Sequence, residues 1–551
     1  MTDPTTTTER PRRAETAARM RAVVDTLRSR APSSAPVADP APRAPEAAPQ
    51  EPAPPTATWD ATYASSWRQR RPWLIVAGLV LLGLAVRLVL MRSIWVDEAI
   101  SIHQAHMSLG GMFDNLRATD RHPPLHYLIL WLTVRVFGDG ELAVRAPSIL
   151  ASVALIPAMF ITGRQLFDRR TGLVAAGFAT IAPLVVWYGQ EARMYALFMV
   201  LGMLALWAQV MVLRDGRSRY WVAYAGLTIA MLYTHYFAVI PIAIQQIVFA
   251  IAAWKRSRAG LPIKGLLTGV WLTWLALLVA AAPLASFAHE QFSHSQAAGM
   301  GFGGTPTAAA PLSIPGSSAS LYAILSNFVW AIWGYHTNST ILRIAALWPL
   351  LMLLSLALMG QRRSPETRVV LALALGPVLV LLFVGLVKRD LFEVRYFIAA
   401  VPMMLLLLAR AVAGGPRRRM PAIVATAALG LTLLVGLADQ QLNPKNPRDF
   451  DFRDALAQVR KEAKPGDTVL YAPDYLRDVV GYYSPGVRTE ALSEAAEHGM
   501  PRSGHVFLLS SFLDDPGIAA QVGTGRYDLG RRPHRLIRTI ERERIRIWEY
   551  S

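Results

Sequence analysis

Two adjacent carboxylates, Asp97 and Glu98, stand shortly after the first long apolar run of the chain, residues 73–91. That run is long enough to cross a bilayer, so the acidic pair emerges at the membrane surface. Ionised groups at that depth are costly and are usually retained for function. A carboxylate in this position can accept the proton of a hydroxyl group. The alternative is an ordinary polar helix cap or interfacial turn.

Further polar groups occur in segments that fall on the same side of the membrane. The predicted ligand-binding residues are His122, Tyr188, Glu191, Arg193, Lys388, Arg395 and Tyr396. Cations on that face depart from the usual distribution of positive charge, which indicates an anionic partner. Arginine binds phosphate through a planar fork, so the predicted ligand is a lipid phosphate. Internal pairing, of Glu191 with Arg193 or of Glu393 with Arg395, is the alternative.

A carboxylate beside a phosphate-binding cluster favours transfer of a sugar from a lipid-linked donor. The carboxylate would deprotonate an acceptor hydroxyl, while cations stabilise the negative charge on the departing phosphate. This chemistry needs no nucleotide, and no cofactor is predicted. The histidine pairs at 103/106 and 122/126 lack a defined carboxylate partner, so a metal site is the weaker alternative and none is predicted.

Composition indicates a polytopic membrane protein. Hydrophobic residues make up 53% of the 551 residues, and the mean hydropathy is +0.31. The net charge of +18 comes with arginines crowded into short loops between apolar runs. That pattern sets membrane orientation, so no nucleic-acid partner is predicted. The chain has no cysteine, which excludes disulfides, thiolate metal sites and cysteine nucleophiles.

The chain divides into three predicted regions. Residues 1–70 are rich in Ala, Pro, Thr and Arg and are expected to form a disordered cytoplasmic tail, with at most a short helix from Ala14 to Arg30. Residues 71–438 form a transmembrane catalytic domain, and residues 439–551 a soluble extracytoplasmic α/β domain. The last of these is predicted to contain one helix and three strands, at 450–461, 468–471, 505–509 and 542–550.

About eleven membrane spans are predicted from apolar length, so the fold class is mainly α. They are 73–91, 142–163, 172–188, 195–213, 220–236, 238–254, 266–286, 340–359, 367–387, 396–413 and 420–438. The apolar run 124–138 is short and carries Arg135, so it is counted as an interfacial or re-entrant helix rather than a span. The arginine-rich loops then all lie inside, and the candidate site and residues 439–551 lie outside the plasma (inner) membrane. A glycine-rich stretch, residues 299–306, is interpreted as an external flap.

Four segments in this order resemble the GT-C glycosyltransferases. They are Asp97-Glu98-Ala99, His122-Pro123-Pro124-Leu125-His126-Tyr127, Gln190-Glu191-Ala192-Arg193-Met194-Tyr195 and Glu393-Val394-Arg395-Tyr396 followed by Pro402. Over roughly residues 73–410, the chain is most similar to the bacterial branch related to protein O-mannosyltransferases and the lipid A aminoarabinose transferase. The resemblance implies an inverting transferase that uses a polyprenyl-phosphate sugar, with Asp97 as base and Glu98 beside it.

The chain departs from the aminoarabinose branch at two points. There, a Thr-Arg dipeptide follows the acidic pair and a lysine belongs to the later proline motif. Here Ala99-Ile100 and His122-Pro123 stand in those places. The departures leave the donor sugar open, with mannose or arabinofuranose on a polyprenyl phosphate as candidates.

The predicted partners are a polyprenyl-phosphate sugar, membrane lipid and a cell-envelope glycan, lipid or protein acceptor. The rival class is a transporter or flippase of a lipid-linked substrate, which would place polar groups near the midplane of several spans and show repeat symmetry. A third class is a non-catalytic scaffold. The flap and the C-terminal domain do not show this departure from the usual distribution of positive charge and are expected to shape the acceptor side, so removal of residues 445–551 is expected to spare donor binding and to lower transfer to the acceptor.

Overall fold

The structure is a computed structural model. It describes residues 59–89, 91–297, 321–335, 348, 352, 356, 364–387, 392–413, 419–443, 446, 450–501, 503–513, 515–530, 534–542 and 544–551. Contacts divide the chain into two compact units, Met1–Ser65 and Ser66–Ser551, and the sites discussed below belong to the second. The predicted helix at 14–30, the flap at 299–306, most of the span at 340–359 and Lys388 lie outside the described residues.

Helices make up the membrane part. They are α1 Trp59–Leu88, α2 Val96–His106, α3 Leu109–Thr119, α4 Leu125–Phe137, α5 Glu141–Leu166, α6 Arg169–Ile181, α7 Pro183–Gly189, α8 Tyr195–Asp215, α9 Ser218–Thr234, α10 Val239–Arg258, α11 Lys264–Ala297, α12 Leu321–Trp333, α13 Pro365–Val387, α14 Ala400–Ala413 and α15 Arg419–Leu442. Helix α1 starts inside the tail predicted for residues 1–70. Residues 59–70 are therefore helical.

Seven described helices are long and apolar enough to cross a membrane, and the bent pair α6–α7 makes eight. The bend of 57° falls at Pro183, which cannot donate the hydrogen bond that would continue the helix. The predicted spans 220–236 and 396–413 correspond to α9 and α14, which have 17 and 14 residues. The mainly helical membrane fold is confirmed, and the count of eleven spans stays a prediction.

Helix α4 is short and lies against α2. It has 13 residues, follows two prolines and ends at Gly138, whose φ of 80° favours glycine. Arg135 donates to the carbonyl oxygens of Ala105 at 2.8 Å and Met107 at 2.7 Å, and its guanidinium stacks on the Trp131 ring. Its charge is thus held against neighbouring backbone, as suits an interfacial helix.

Close packing of α5 on α6 forms the centre of the membrane part. Gly163 and Gly172 face each other there, and a Cβ on Gly172 would lie 2.7 Å from the carbonyl oxygen of Phe160. Small residues at such a contact let two helix backbones approach, which is how membrane helices gain packing energy. Helix α14 packs on the same pair and is buried along most of its length.

The C-terminal domain is a five-stranded sheet covered by helices. Its elements are α16 Phe452–Glu462, β1 Thr468–Ala472, α17 Arg477–Tyr483, β2 Arg488–Ala491, α18 Leu492–His498, β3 Val506–Ser511, α19 Pro516–Gly530, β4 Leu536–Arg542 and β5 Ile545–Tyr550. The strand order is β2-β1-β3-β5-β4, with β1 parallel to both neighbours and β5 antiparallel to both of its own. The predicted small α/β unit is confirmed. Within the segment 542–550, predicted as one strand, Arg542 ends β4 and Ile545–Tyr550 form β5.

A single hydrophobic cluster joins the C-terminal domain to α2 of the membrane part. Ile94 and Ile102 on one side pack with Phe450, Phe452 and Val480 on the other, and all are buried. This domain and the first loop therefore lie at the same end of the helical bundle. The chain must then cross the membrane an even number of times between the first loop and the C-terminal domain. The ten spans predicted after the first are consistent with this requirement.

Candidate active site

The acidic pair lies in the first turn of α2. The Glu98 carboxylate reaches back to accept from the Trp95 amide at 3.0 Å, which satisfies one of the amide groups left unpaired where a helix begins. Negative charge in a first helical turn is also favoured by the helix dipole. Asp97 and Glu98 are adjacent, so their side chains leave the helix in different directions.

Glu98 points into the protein and is 2% exposed. Its two oxygens each accept from Arg145 at 2.8 Å, in a bidentate pair, and Oε1 also accepts from the Ala192 amide at 2.8 Å. With the bond from Trp95, the carboxylate receives four hydrogen bonds. The cavity beside it, which Glu191 and Phe450 also line, holds about 20 Å³, room for roughly one water and far too little for a sugar ring.

Asp97 points to the open side, and 34% of its side chain is exposed. Its carboxylate lies 3.9 Å from Arg395 Nη1, close enough to attract that cation without a hydrogen bond. Arg193 lies beneath it, with Nη1 at 3.4 Å from the Asp97 carbonyl oxygen. Of the two carboxylates, Asp97 is the one that a ligand can reach.

Arg193 is a buried cation at the centre of the polar cluster. Its Nη1 donates to Ser101 Oγ at 2.9 Å and to the Tyr127 hydroxyl at 3.2 Å. Burial alone would lower the pKa of Arg193, but the surrounding Tyr127, Asp97 and Asp120 groups hold it well above its usual range. Arg193 therefore stays charged, and it connects Asp97 to the second carboxylate of the site.

That second carboxylate is Asp120, which is buried and accepts several hydrogen bonds. The donors are the amides of Arg121 (2.6 Å) and His122 (2.9 Å), the His122 ring (2.7 Å), the Tyr127 hydroxyl (2.8 Å) and Gln104 (3.4 Å). Burial would raise the pKa of Asp120, but the His122 ring, Arg193 and the Tyr127 hydrogen bond hold it well below its usual range. Asp120 is thus ionised at neutral pH.

An ionised Asp120 fixes the orientation of His122. The ring atom Nδ1 must carry hydrogen to donate to the carboxylate, which leaves Nε2 for a second contact. About a fifth of the His122 side chain, 22%, is exposed. His122 was predicted to bind the ligand, whereas Asp120 and Tyr127 were not among the predicted site residues. Their closeness to His122 in the sequence is the feature from which they could have been identified.

Arg395 sits in the 3-10 helix Val394–Phe397, on the loop before α14. Its Nε lies 2.5 Å from Glu393 Oε2, so the predicted alternative of internal pairing holds for this arginine. Its guanidinium also lies over the Tyr396 ring, at 5.2 Å from the centroid. Burial would lower the pKa of Arg395, but Tyr195, Glu393 and Asp97 hold it well above its usual range. It remains a cation 3.9 Å from Asp97.

Of the other predicted site residues, Tyr188 and Glu191 belong to the described part of the chain and make other contacts. Tyr188 is buried in α7, where its hydroxyl pairs with that of Tyr335 at 2.7 Å and its ring packs on Tyr195. Glu191 lines the small cavity on the Glu98 side. Lys388 is not among the described residues, and within those that are, no group of three potential metal ligands occurs.

Comparison with known proteins supports the predicted fold. A family model described as dolichyl-phosphate-mannose-protein mannosyltransferase matches residues 121–286, a stretch that begins within the Asp120–His122 loop. No curated protein sequence matches the chain significantly.

Two solved structures share the architecture at 12% sequence identity. ArnT from Cupriavidus metallidurans, solved both in the apo state and bound to undecaprenyl phosphate, superposes with a TM-score of 0.50 and covers 88% of this chain and 98% of its own. The apo oligosaccharyltransferase of Archaeoglobus fulgidus gives a TM-score of 0.51 and covers 83% of this chain and 72% of its own. The chain thus has the GT-C fold, which confirms the predicted resemblance for the fold.

Proposed function

We propose that this protein is a membrane glycosyltransferase that moves a sugar from a polyprenyl-phosphate donor to a cell-envelope acceptor at the outer face of the membrane. The observation that carries the proposal is the accessible Asp97 carboxylate, held 3.9 Å from the cationic Arg395 at one end of a GT-C bundle. A base and a phosphate-binding cation at one surface are the two groups that such a transfer needs.

The reaction is proposed as a single displacement. The acceptor oxygen bonds to the anomeric carbon while the bond from that carbon to the phosphate oxygen breaks, and the electron pair leaves with the polyprenyl phosphate. The acceptor proton passes to Asp97. Attack opposite the leaving group inverts the configuration. Arg395 stabilises the charge that develops on the phosphate.

His122 is proposed as a second contact to the donor. Asp120 holds its Nδ1, so a protonated ring would present Nε2–H to a phosphate oxygen or a sugar hydroxyl. Glu98 was predicted as catalytic together with Asp97, and that role stays a prediction. Its four hydrogen bonds and its burial favour a supporting role instead, as the group that holds the turn carrying Asp97.

A transporter or flippase remains the rival class for the experiment to exclude. The polar groups described above gather at the bundle end that carries the C-terminal domain, whereas a carrier of a lipid-linked substrate is expected to bind near the midplane. This placement supports an enzyme. The proposed donor sugar is mannose or arabinofuranose, and the proposed acceptor is a glycan, lipid or protein of the cell envelope.

The test uses the full-length protein in lipid nanodiscs with radiolabelled polyprenyl-phosphate mannose and polyprenyl-phosphate arabinofuranose. The acceptor is an envelope fraction from cells that lack the gene. We expect label to move to that fraction with release of polyprenyl phosphate. Arg395→Ala should weaken undecaprenyl phosphate binding by about 1.5–3 kcal/mol, the contribution of a hydrogen bond to a charged group. Movement of intact donor across a vesicle membrane, without cleavage of its sugar–phosphate bond, would instead identify a flippase.

A further inference from the structure

Glu141 joins the membrane part to the C-terminal domain. It lies at the start of α5, one helical turn before Arg145, and its Oε2 is 3.7 Å from Arg145 Nη1. On its other side Arg453 of α16 donates through Nε at 2.8 Å, and the Tyr483 hydroxyl at the end of α17 donates at 2.9 Å. Glu141 therefore connects two groups of the C-terminal domain with the arginine that holds Glu98.

The same two domain residues also hold the backbone just ahead of Asp97. Tyr483 accepts from the Ile94 amide at 2.6 Å, and Arg453 donates to the Arg92 carbonyl at 2.9 Å. From the opposite side, Arg145 donates to the carbonyls of Arg92 at 2.7 Å and residue 93 at 3.0 Å. The backbone of residues 92–94 is thus hydrogen-bonded to α5 on one side and to the C-terminal domain on the other.

Apolar contacts close the same junction. The Trp95 ring packs on Phe450 with centroids 4.8 Å apart, and the Ser93 hydroxyl donates to the Phe450 carbonyl at 2.5 Å. The Phe452 amide donates back to that hydroxyl at 3.2 Å. Because α2 begins immediately after these residues, a shift of the domain would move the turn that carries Asp97.

We propose that Glu141, Arg453 and Tyr483 are positioning residues for the transfer reaction, coupling the C-terminal domain to Asp97. The proposal rests on the proposed function. None of the three touches substrate in this scheme. They act through Arg145, Glu98 and the backbone of residues 92–94. A displacement of about 1 Å at a reacting group can lower turnover about 100-fold, so a small loosening of this junction is enough to be measured.

The experiment compares full-length Glu141→Gln, Arg453→Ala and Tyr483→Phe with the parent in nanodiscs. Arg488→Ala is the matched control, because Arg488 pairs with Glu490 on the exposed surface of the same domain. We expect kcat for the polyprenyl-phosphate sugar to fall about 10- to 100-fold in the three variants, with undecaprenyl phosphate affinity unchanged. Arg453→Lys should recover part of the loss. The double variant Glu141→Gln/Arg453→Ala should lose less than the product of the two single losses, since both variants break the ion pair between these residues.

Hydrogen–deuterium exchange of the amides of residues 92–98 provides a readout that does not require activity. Faster exchange there in the three variants, and not in Arg488→Ala, is the expected result. If the three variants keep the kcat and the exchange rates of the parent, the proposal is overturned. It is also overturned if the decrease in kcat is only proportional to a decrease in melting temperature. If the parent itself transfers no sugar, the proposed function fails. The exchange data then decide whether the domain holds this turn.

Discussion

Asp97 and Glu98 are neighbours in the sequence and lie in opposite environments. A catalytic role for the acidic pair after the first span could be predicted from the sequence. Which of the two carboxylates is exposed could not. That choice depends on Arg145 and the Ala192 amide, which lie 47 and 94 residues further along the chain. No local pattern in the sequence reports such partners.

Glu98→Gln is predicted to destabilise the protein strongly. The amide keeps the shape of the side chain but removes the charge that pairs with buried Arg145 at 2.8 Å, leaving it only Glu141 at 3.7 Å. Breaking a buried ion pair costs about 3–5 kcal/mol. Thermal or denaturant unfolding in detergent measures the loss. Asp97→Asn is the control, because its partly exposed carboxylate should change stability by less than about 1 kcal/mol. Equal stability of the Glu98→Gln variant and the parent would contradict the supporting role.

Asp120→Asn is predicted to destabilise the protein in a pH-dependent way. The folded state holds the pKa of Asp120 below its usual range, so the ionised carboxylate stabilises the fold above the ordinary aspartate pKa of about 3.9. That stabilisation is lost as the pH falls below this value toward the folded pKa.

At pH 7 the variant should therefore melt at a lower temperature than the parent, by an amount equivalent to about 1.5–3 kcal/mol. The difference should shrink as the pH falls below about 4. A gap that stays constant from pH 7 to pH 3 would show that the charge of Asp120 is not what stabilises the loop.

At the scale of elements, the long apolar helices and three of the five C-terminal strands were predicted, whereas β2, β4 and the contacts between the elements were not. Apolar length identifies a span, and short continuous apolar runs identify β1 and β3, because both patterns are local. Docking of the C-terminal domain on α2 is not local. The Ile94 amide and the Tyr483 hydroxyl that meet there are 389 residues apart.

This docking leads to a prediction that differs from one expectation drawn from the sequence, which is itself untested. Removal of residues 445–551 was expected to spare donor binding. Instead, the deletion would strip Phe450, Phe452 and Val480 from a shared core and leave Ile94 and Ile102 exposed. We predict that the truncated chain loses order at the start of α2 and binds undecaprenyl phosphate much more weakly. Isothermal titration with the parent as reference measures this, and undiminished affinity would restore the original expectation.

For the whole molecule, the contacts place the first loop and the C-terminal domain at one end of the bundle, and positive charge predicts that this end faces outward. The chain has no cysteine, so single cysteines report sidedness directly. A cysteine at Pro501 should react with an impermeant maleimide in intact cells, and one at Ser364 should react only after permeabilisation. The reverse pattern would place the candidate site on the cytoplasmic face.

The central claim is that Asp97 is the base of a sugar transfer. Its most direct test is the turnover of Asp97→Asn beside the parent, with Asp114→Asn as the matched control. Asp114 is an aspartate of the same loop region with a 76% exposed side chain.

With polyprenyl-phosphate sugar and the envelope acceptor fraction, Asp97→Asn should lose about 10²- to 10⁴-fold in kcat and keep its affinity for undecaprenyl phosphate. Asp114→Asn should match the parent. Near-parent turnover by a folded Asp97→Asn variant would contradict the claim.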